Sequence, residues 1–161
     1  MLDLAAAAAN IIDEMHKTGA HGLIAVSAAA AFIPEDPDKS WIVKQIQPRN
    51  FARTFADVRQ MERVVKDSDL DWTLVRPTRL VSEPGKGEYR VRADFPPPGG
   101  GTITQADVAH FIGTALTSAS YIRECPALAY RLAAPTGFRP GPQRRCRSEG
   151  RRGARHRHRS W

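Results

Sequence analysis

The stretch Ser68–Leu80, SDLDWTLVRPTRL, decides the fold. A polar, acidic segment passes into Trp72-Thr73-Leu74-Val75, and an Arg76-Pro77 pair closes it. A short run without alternation wants cover on both faces, which suits a parallel strand buried between helices. Pro77 cannot donate to a sheet ladder, so its expected place is just past the strand's end. Ligands of open parallel sheets bind at the carboxyl ends of the strands. Pro77-Thr78-Arg79-Leu80 is therefore either a ligand-contacting loop or a plain stop.

Upstream, Phe55, Val58, Met61, Val64 and Val65 recur at three and four residues, which predicts an amphipathic helix over Phe51–Lys66. Leu4, Ile11, Ile12 and Met15 predict a helix over Leu2–Lys17, with Gly19 as its C-terminal cap. Between these helices GLIAVS, Gly22–Ser27, is a second buried strand. The proline-bearing stretch after it reads as a long loop with a short apolar patch at Trp41-Ile42-Val43. Downstream, Tyr89–Arg92 reads as a short strand, and PPPGGG, Pro96–Gly101, excludes a regular element. Thr104 is the expected N-cap of a helix with Asp107 three residues on, and Ala127–Ala133 is a last strand. Strands alternating with helices predict an α/β fold with a parallel sheet.

The 161 residues suffice for one ordinary domain, and no apolar run approaches the roughly 20 residues of a membrane helix. The amino-terminal residues carry Asp3 and later acids where a secretion signal would be basic. Two widely spaced cysteines without such a signal point to the cytoplasm and to no metal site. The net charge of +7 comes from residues 137–161, whose nine Arg and one Glu give +8 against −1 for residues 1–136. That tail has almost no apolar residue and is expected to be disordered, so the folded domain is expected over 1–136. The tail could bind nucleic acid by counterion release, but Phe138 and Trp161, its aromatics, offer no stacking platform, and nucleic acid is not the expected partner. Its skew to Arg also fits translation of GC-rich DNA in a shifted frame, which the other reading frames would test.

MERVVKDSDLDWTLVRPTRL, followed by GEYRV and TITQADVAHFIGTAL, resembles the carboxyl-terminal half of an atypical short-chain dehydrogenase/reductase. The nearer likeness is to the NAD(P)H-binding group that includes flavin reductase (biliverdin-IX-beta reductase), over about residues 4–134. GLIAVSAAAAF is similar to that group's strand ending in serine. The resemblance implies a Rossmann-like parallel sheet with flanking helices, the amino-terminal half of the fold being absent, and NADP(H) or NAD(H) as cofactor. It implies that Ser27 and Ala28 close the strand nearest the nicotinamide, and that Pro77, Thr78, Arg79 and Leu80 form the loop packed on it. Ser27 is then the one catalytic candidate, orienting a carbonyl or, equally, capping the next loop.

The glycine-rich phosphate loop and the Tyr-x-x-x-Lys pair of the family are absent from this sequence. The expected function is thus an oxidoreductase-like chain with weak or no activity. The alternative is a non-catalytic nucleotide-sensing or nucleic-acid-binding module using the basic tail. Without a neighbour, Gly22–Ser27 would be an apolar sheet edge, so self-association and marginal stability are expected.

Overall fold

The computed structural model describes residues 3–39 and 51–131. The Trp41–Val43 patch, the tail 137–161 and the end of the last predicted strand lie outside the described residues. Helix α1, Leu4–Thr18, begins where the Asp3 carboxylate accepts the Ala6 N–H at 3.0 Å. It ends on Gly19, whose φ of 71° is the left-handed cap conformation glycine adopts without strain. Strand β1, Gly22–Val26, follows.

Residues Ala29–Glu35 were expected as loop and form a 3-10 helix instead. Tertiary contacts hold it, since Ala29 and Ala31 are buried and Phe32 stacks on an arginine described below. Helix α2, Ala52–Lys66, leads into β2, Asp71–Pro77. Pro77 is the last residue of β2 rather than the first beyond it. The ladder tolerates it because the next N–H, that of Thr78, makes the bond to the Leu128 carbonyl at 3.0 Å.

Arg79–Val81 is also a strand, β3, where a bend was expected. Then come β4, Arg90–Ala93, and β5, Thr102–Thr104, followed by α3, Gln105–Leu116. The Thr104 hydroxyl caps α3 by accepting the Asp107 N–H at 3.2 Å, as the spacing predicts. The Asp107 carboxylate accepts the Lys86 and Gly87 N–H groups and the Tyr130 hydroxyl, tying the 83–88 turn to α3. A second 3-10 turn, Ala119–Tyr121, precedes β6, Pro126–Ala129.

The main sheet has the order β1-β2-β6-β4. β1, β2 and β6 are parallel, and β4 pairs antiparallel with β6. β3 and β5 form a separate parallel pair. Helices α1 and α2 pack on one face through Ala8, Ile12, Met61 and Val65 against Leu70, Trp72 and Leu74. Helix α3 packs on the other through Val108, Phe111 and Ala115 against Val75, Ile103 and Leu128. Trp72 and Leu74 therefore face one helical layer and Val75 the other, which is why the run shows no alternation. Each such side chain contributes about 1.5–3 kcal/mol by burial. Among the described residues no helix is long and apolar enough to cross a membrane.

Candidate functional site

The carboxyl ends of β1 and β2 lie side by side. Val26 is in register with Val75, and the Ser27 N–H donates to the Val75 carbonyl at 2.7 Å. Ser27 and half-buried Ala28 thus meet Arg76, Pro77 and Thr78 at one end of the sheet. Arg79 and Leu80 do not join this group as a loop. They are exposed residues of β3, in register with Thr102 and Ile103.

Beneath the strand ends lies a buried ionic cluster. The Arg76 guanidinium grips the Glu62 carboxylate with two bonds, Nε to Oε1 at 2.9 Å and Nη2 to Oε2 at 2.5 Å. Ser27 Oγ donates to Glu62 Oε1 at 2.5 Å, and Lys66 Nζ lies 3.1 Å from Oε2. Arg76 Nη1 donates to the Asp94 carbonyl at 2.7 Å, and Asp94 takes a φ of 63° to present it. The Phe32 ring lies 3.6 Å from the guanidinium carbon and closes its open face. Glu62 and Arg76 are 1% and 3% exposed, so the pair is fully desolvated.

Burial alone would push the Glu62 carboxyl up. The hydrogen bonds and charge of Arg76, the Ser27 hydroxyl and Lys66 outweigh it and hold the group below the usual carboxylate range. Burial would likewise lower Arg76, and Glu62 reverses that, so the guanidinium is held above its ordinary value. Burial pushes the neighbouring Cys125 thiol up, leaving it a thiol.

The arrangement limits the chemistry. Glu62 is held as a carboxylate and is no proton donor near neutral pH. The Ser27 proton is committed to Glu62, leaving its oxygen only as an acceptor. Thr78 Oγ1 donates to the Leu128 carbonyl at 3.0 Å, so that proton is committed too. The cluster therefore fixes the rim of the site by joining α2, β2, the first 3-10 helix and the turn after β4.

Glu62, Arg76, Phe32 and Asp94 were not among the predicted site residues. A signal for two of them was in the sequence. Glu62 lies on the helix face of Val58, Met61 and Val65, and Arg76 continues a buried apolar run. Opposite charges at two buried positions invite a pair.

A pyrophosphate needs glycines whose missing side chains leave backbone N–H groups open to it. In PPPGGG, a Cβ on Gly100 would lie 2.4 Å from the Ala129 Cβ and 2.8 Å from the Pro97 carbonyl oxygen, so this glycine serves packing against β6. Gly85 is packed likewise against the Asp107 carboxylate. The strand ends fit the small end of a dinucleotide by position, and the described residues supply no pyrophosphate cradle. Among those residues no group of three or more His, Cys, Asp or Glu could hold a metal.

Comparisons with known proteins agree with the fold. Residues 3–119 match the model of the NAD(P)H-binding family. A protein of Bacillus halodurans described as an NAD-dependent epimerase/dehydratase is 27% identical, with a TM-score of 0.64 over 76% of this chain and 52% of that one. A short-chain dehydrogenase/reductase from Veillonella parvula in complex with NADP is 18% identical, with a TM-score of 0.63 over 78% of this chain and 58% of that one. A Streptococcus pneumoniae protein described as an NADH-flavin reductase is 18% identical, with a TM-score of 0.63 over 80% and 66%. The last two likenesses show the fold alone. The chain spans between half and two thirds of the length of these structures. No curated protein matches it. With the Rossmann-like sheet, the serine strand and a family match over residues 3–119, the chain belongs to the NAD(P)H-binding family.

Proposed function

We propose that this chain carries the nicotinamide-side part of a cytoplasmic NAD(P)H-dependent reductase site and has weak or no reductase activity by itself. One observation carries the reading: Ser27 and Ala28 meet Pro77 and Thr78 at the carboxyl ends of adjacent parallel strands, where open α/β sheets bind ligands. Family membership supports NAD(P)(H) as the dinucleotide, and the cofactor, when bound, supplies the hydride chemistry. The chain's own residues orient and shape the site. Arg76 and Glu62 hold the strand ends rigid, the Ser27 oxygen offers an acceptor, and exposed Arg79 offers a cation beyond Thr78. A pyrophosphate cradle is lacking among the described residues, so affinity is expected to be low.

The committed protons of Ser27 and Thr78 favour a second reading, a non-catalytic nucleotide-binding module. Thermal unfolding followed by far-UV circular dichroism, with and without about 1 mM NADPH, tests both. A dissociation constant near 1 mM would stabilise the fold by about 0.4 kcal/mol, a rise of about 1–2 °C. That small rise is the expected result. A transition that ignores NADPH would leave the chain without a cofactor site and overturn both readings. A rise above about 8 °C would mean a complete dinucleotide site and overturn the weak-binding reading. Flavin or quinone turnover with NADPH would then separate enzyme from binding module.

A further inference from the structure

We propose that the carboxyl end of β6 is an anion subsite, where Lys86, Arg90 and Arg131 attract and hold the carboxylate or phosphate of an acidic substrate. Tyr130, the residue just past β6, is the centre of the group. Its carbonyl accepts a bond from Arg90 Nη2 at 3.2 Å, and Lys86 Nζ lies 4.5 Å from the centre of its ring. Arg131 follows it in the chain, with its charge acting on Arg90. Lys86 and Arg131 are exposed. The Tyr130 N–H donates to the Thr102 carbonyl at 2.8 Å, and Thr102 is in register with Arg79, which adds a fourth cation at the flank.

This group lacks counter-charge. Among the described residues Arg76 pairs with Glu62 and Arg92 with Asp38, whereas no carboxylate pairs with Lys86, Arg90 or Arg131. Buried Asp107 is committed to the Tyr130 hydroxyl and to the Lys86 and Gly87 N–H groups. Glu83 and Glu88 are exposed and make no ion pair among the described residues. Arg90 is half-buried, with its Nη groups on the Pro98 and Tyr130 carbonyls and its Nε–H buried without a partner. Burial, and then the charge of Arg131, lower its pKa. A desolvated cation facing like charge is stabilised by an anion that arrives from outside.

The subsite adjoins the rim of Ser27 and Thr78, and its use rests on the reductase reading of that rim. β6 is the neighbour of β2, and Thr78 bonds the Leu128 carbonyl, two residues before Tyr130, with both its N–H and its hydroxyl. The end of β6 lies one strand spacing from β2 and two from β1, about 5 and about 10 Å. A reducible group held over Ser27 and Thr78 therefore reaches the cations with an acid group about 5–10 Å away on the same molecule. Arginine's planar fork suits a carboxylate or a phosphate, and a surface of one sign of charge raises the local concentration of the opposite sign. The cofactor's own phosphates are the other source of such an anion, and the experiment separates the two.

Thermal unfolding of the full chain in about 50 mM sodium phosphate, against sodium chloride of equal ionic strength, tests this with inorganic phosphate as the probe. A dissociation constant near 5 mM would raise the midpoint by about 4–7 °C. The double variant Lys86→Gln with Arg131→Gln is expected to keep the circular dichroism spectrum and to bind about tenfold more weakly, which leaves a rise of about 1–2 °C. Arg90 stays in place because it holds the 96–98 segment. Arg63→Gln, on the exposed face of α2 where Arg63 meets Gln60, is expected to keep the full rise. No rise in the wild type overturns the proposal. So does a rise that the double variant keeps in full, and so does an equal loss in Arg63→Gln. The NADPH response is expected to survive the double variant. Its loss there would assign the cations to the cofactor's phosphates and overturn the substrate assignment. A wild-type chain that responds to phosphate and not to NADPH keeps the anion subsite and strikes the cofactor reading instead.

Discussion

Glu62→Ala is expected to destabilise the fold by about 3–5 kcal/mol, the loss typical of removing one partner of a buried ion pair. The substitution leaves the Arg76 guanidinium desolvated, with only the Asp94 carbonyl and the Phe32 face for company. It also frees the Ser27 hydroxyl and loosens Lys66. Urea unfolding reads the loss as a lower midpoint at unchanged slope. The double variant Glu62→Met with Arg76→Leu is expected to recover most of it, because apolar groups of similar volume often replace a buried pair at little cost. If the single variant lost under about 1 kcal/mol, the pair would be acting as a solvated one.

The same cluster sets a pH dependence. The folded pKa of Glu62 lies below its unfolded value, and that of Asp107 is lowered by the Tyr130 hydroxyl and by the Lys86 and Gly87 N–H groups. Carboxylates lowered on folding stabilise fully above their unfolded values, about 3.9–4.3, and lose that stabilisation as pH falls through the folded values. The melting temperature is expected to be level between about pH 5 and 7 and to fall below about pH 4. Glu62→Ala is expected to show a shallower acid fall, keeping the parts due to Asp107 and to Asp69, which the hydrogen bond to His16 also holds low. A melting temperature that rises on acidification would overturn the assignment of either carboxylate as ionised.

Phe111→Ala is expected to cost about 3–5 kcal/mol, the usual loss for truncating a buried phenylalanine. Phe111 is 2% exposed at the centre of the α3 face. Its ring meets Tyr121 edge to face, with centroids 4.9 Å apart, and Tyr89 at 6.4 Å. An edge-to-face pair adds about 0.5–1.5 kcal/mol beyond area. The cavity would sit beneath Val75 and Leu128, so it would weaken the β2–β6 pairing that carries Pro77 and Thr78. Phe111→Leu fills most of the volume and is expected to cost under about 1.5 kcal/mol. Equal losses for both variants would mean that the aromatic geometry, not the volume, holds this layer.

Local chemistry alone determined the regular elements. Gly19 marks the end of α1, Thr104 with Asp107 marks the start of α3, and the spacing of Val58, Met61 and Val65 marks α2. The unalternating Trp72–Val75 run and Gly22–Val26 identified two strands covered by helices, and through them the Rossmann-like class. Each of these signals arises within a few residues, where one side chain meets its own backbone or repeats on one face. Contacts between distant segments decided the rest. Pro77 remains in β2 because β6 asks for the N–H of Thr78 instead. Ala29–Glu35 is helical because Phe32 must reach Arg76. The site's anchor, Glu62 with Arg76 and Ser27, joins residues 14 and 35 positions apart, and only burial makes that pairing obligatory.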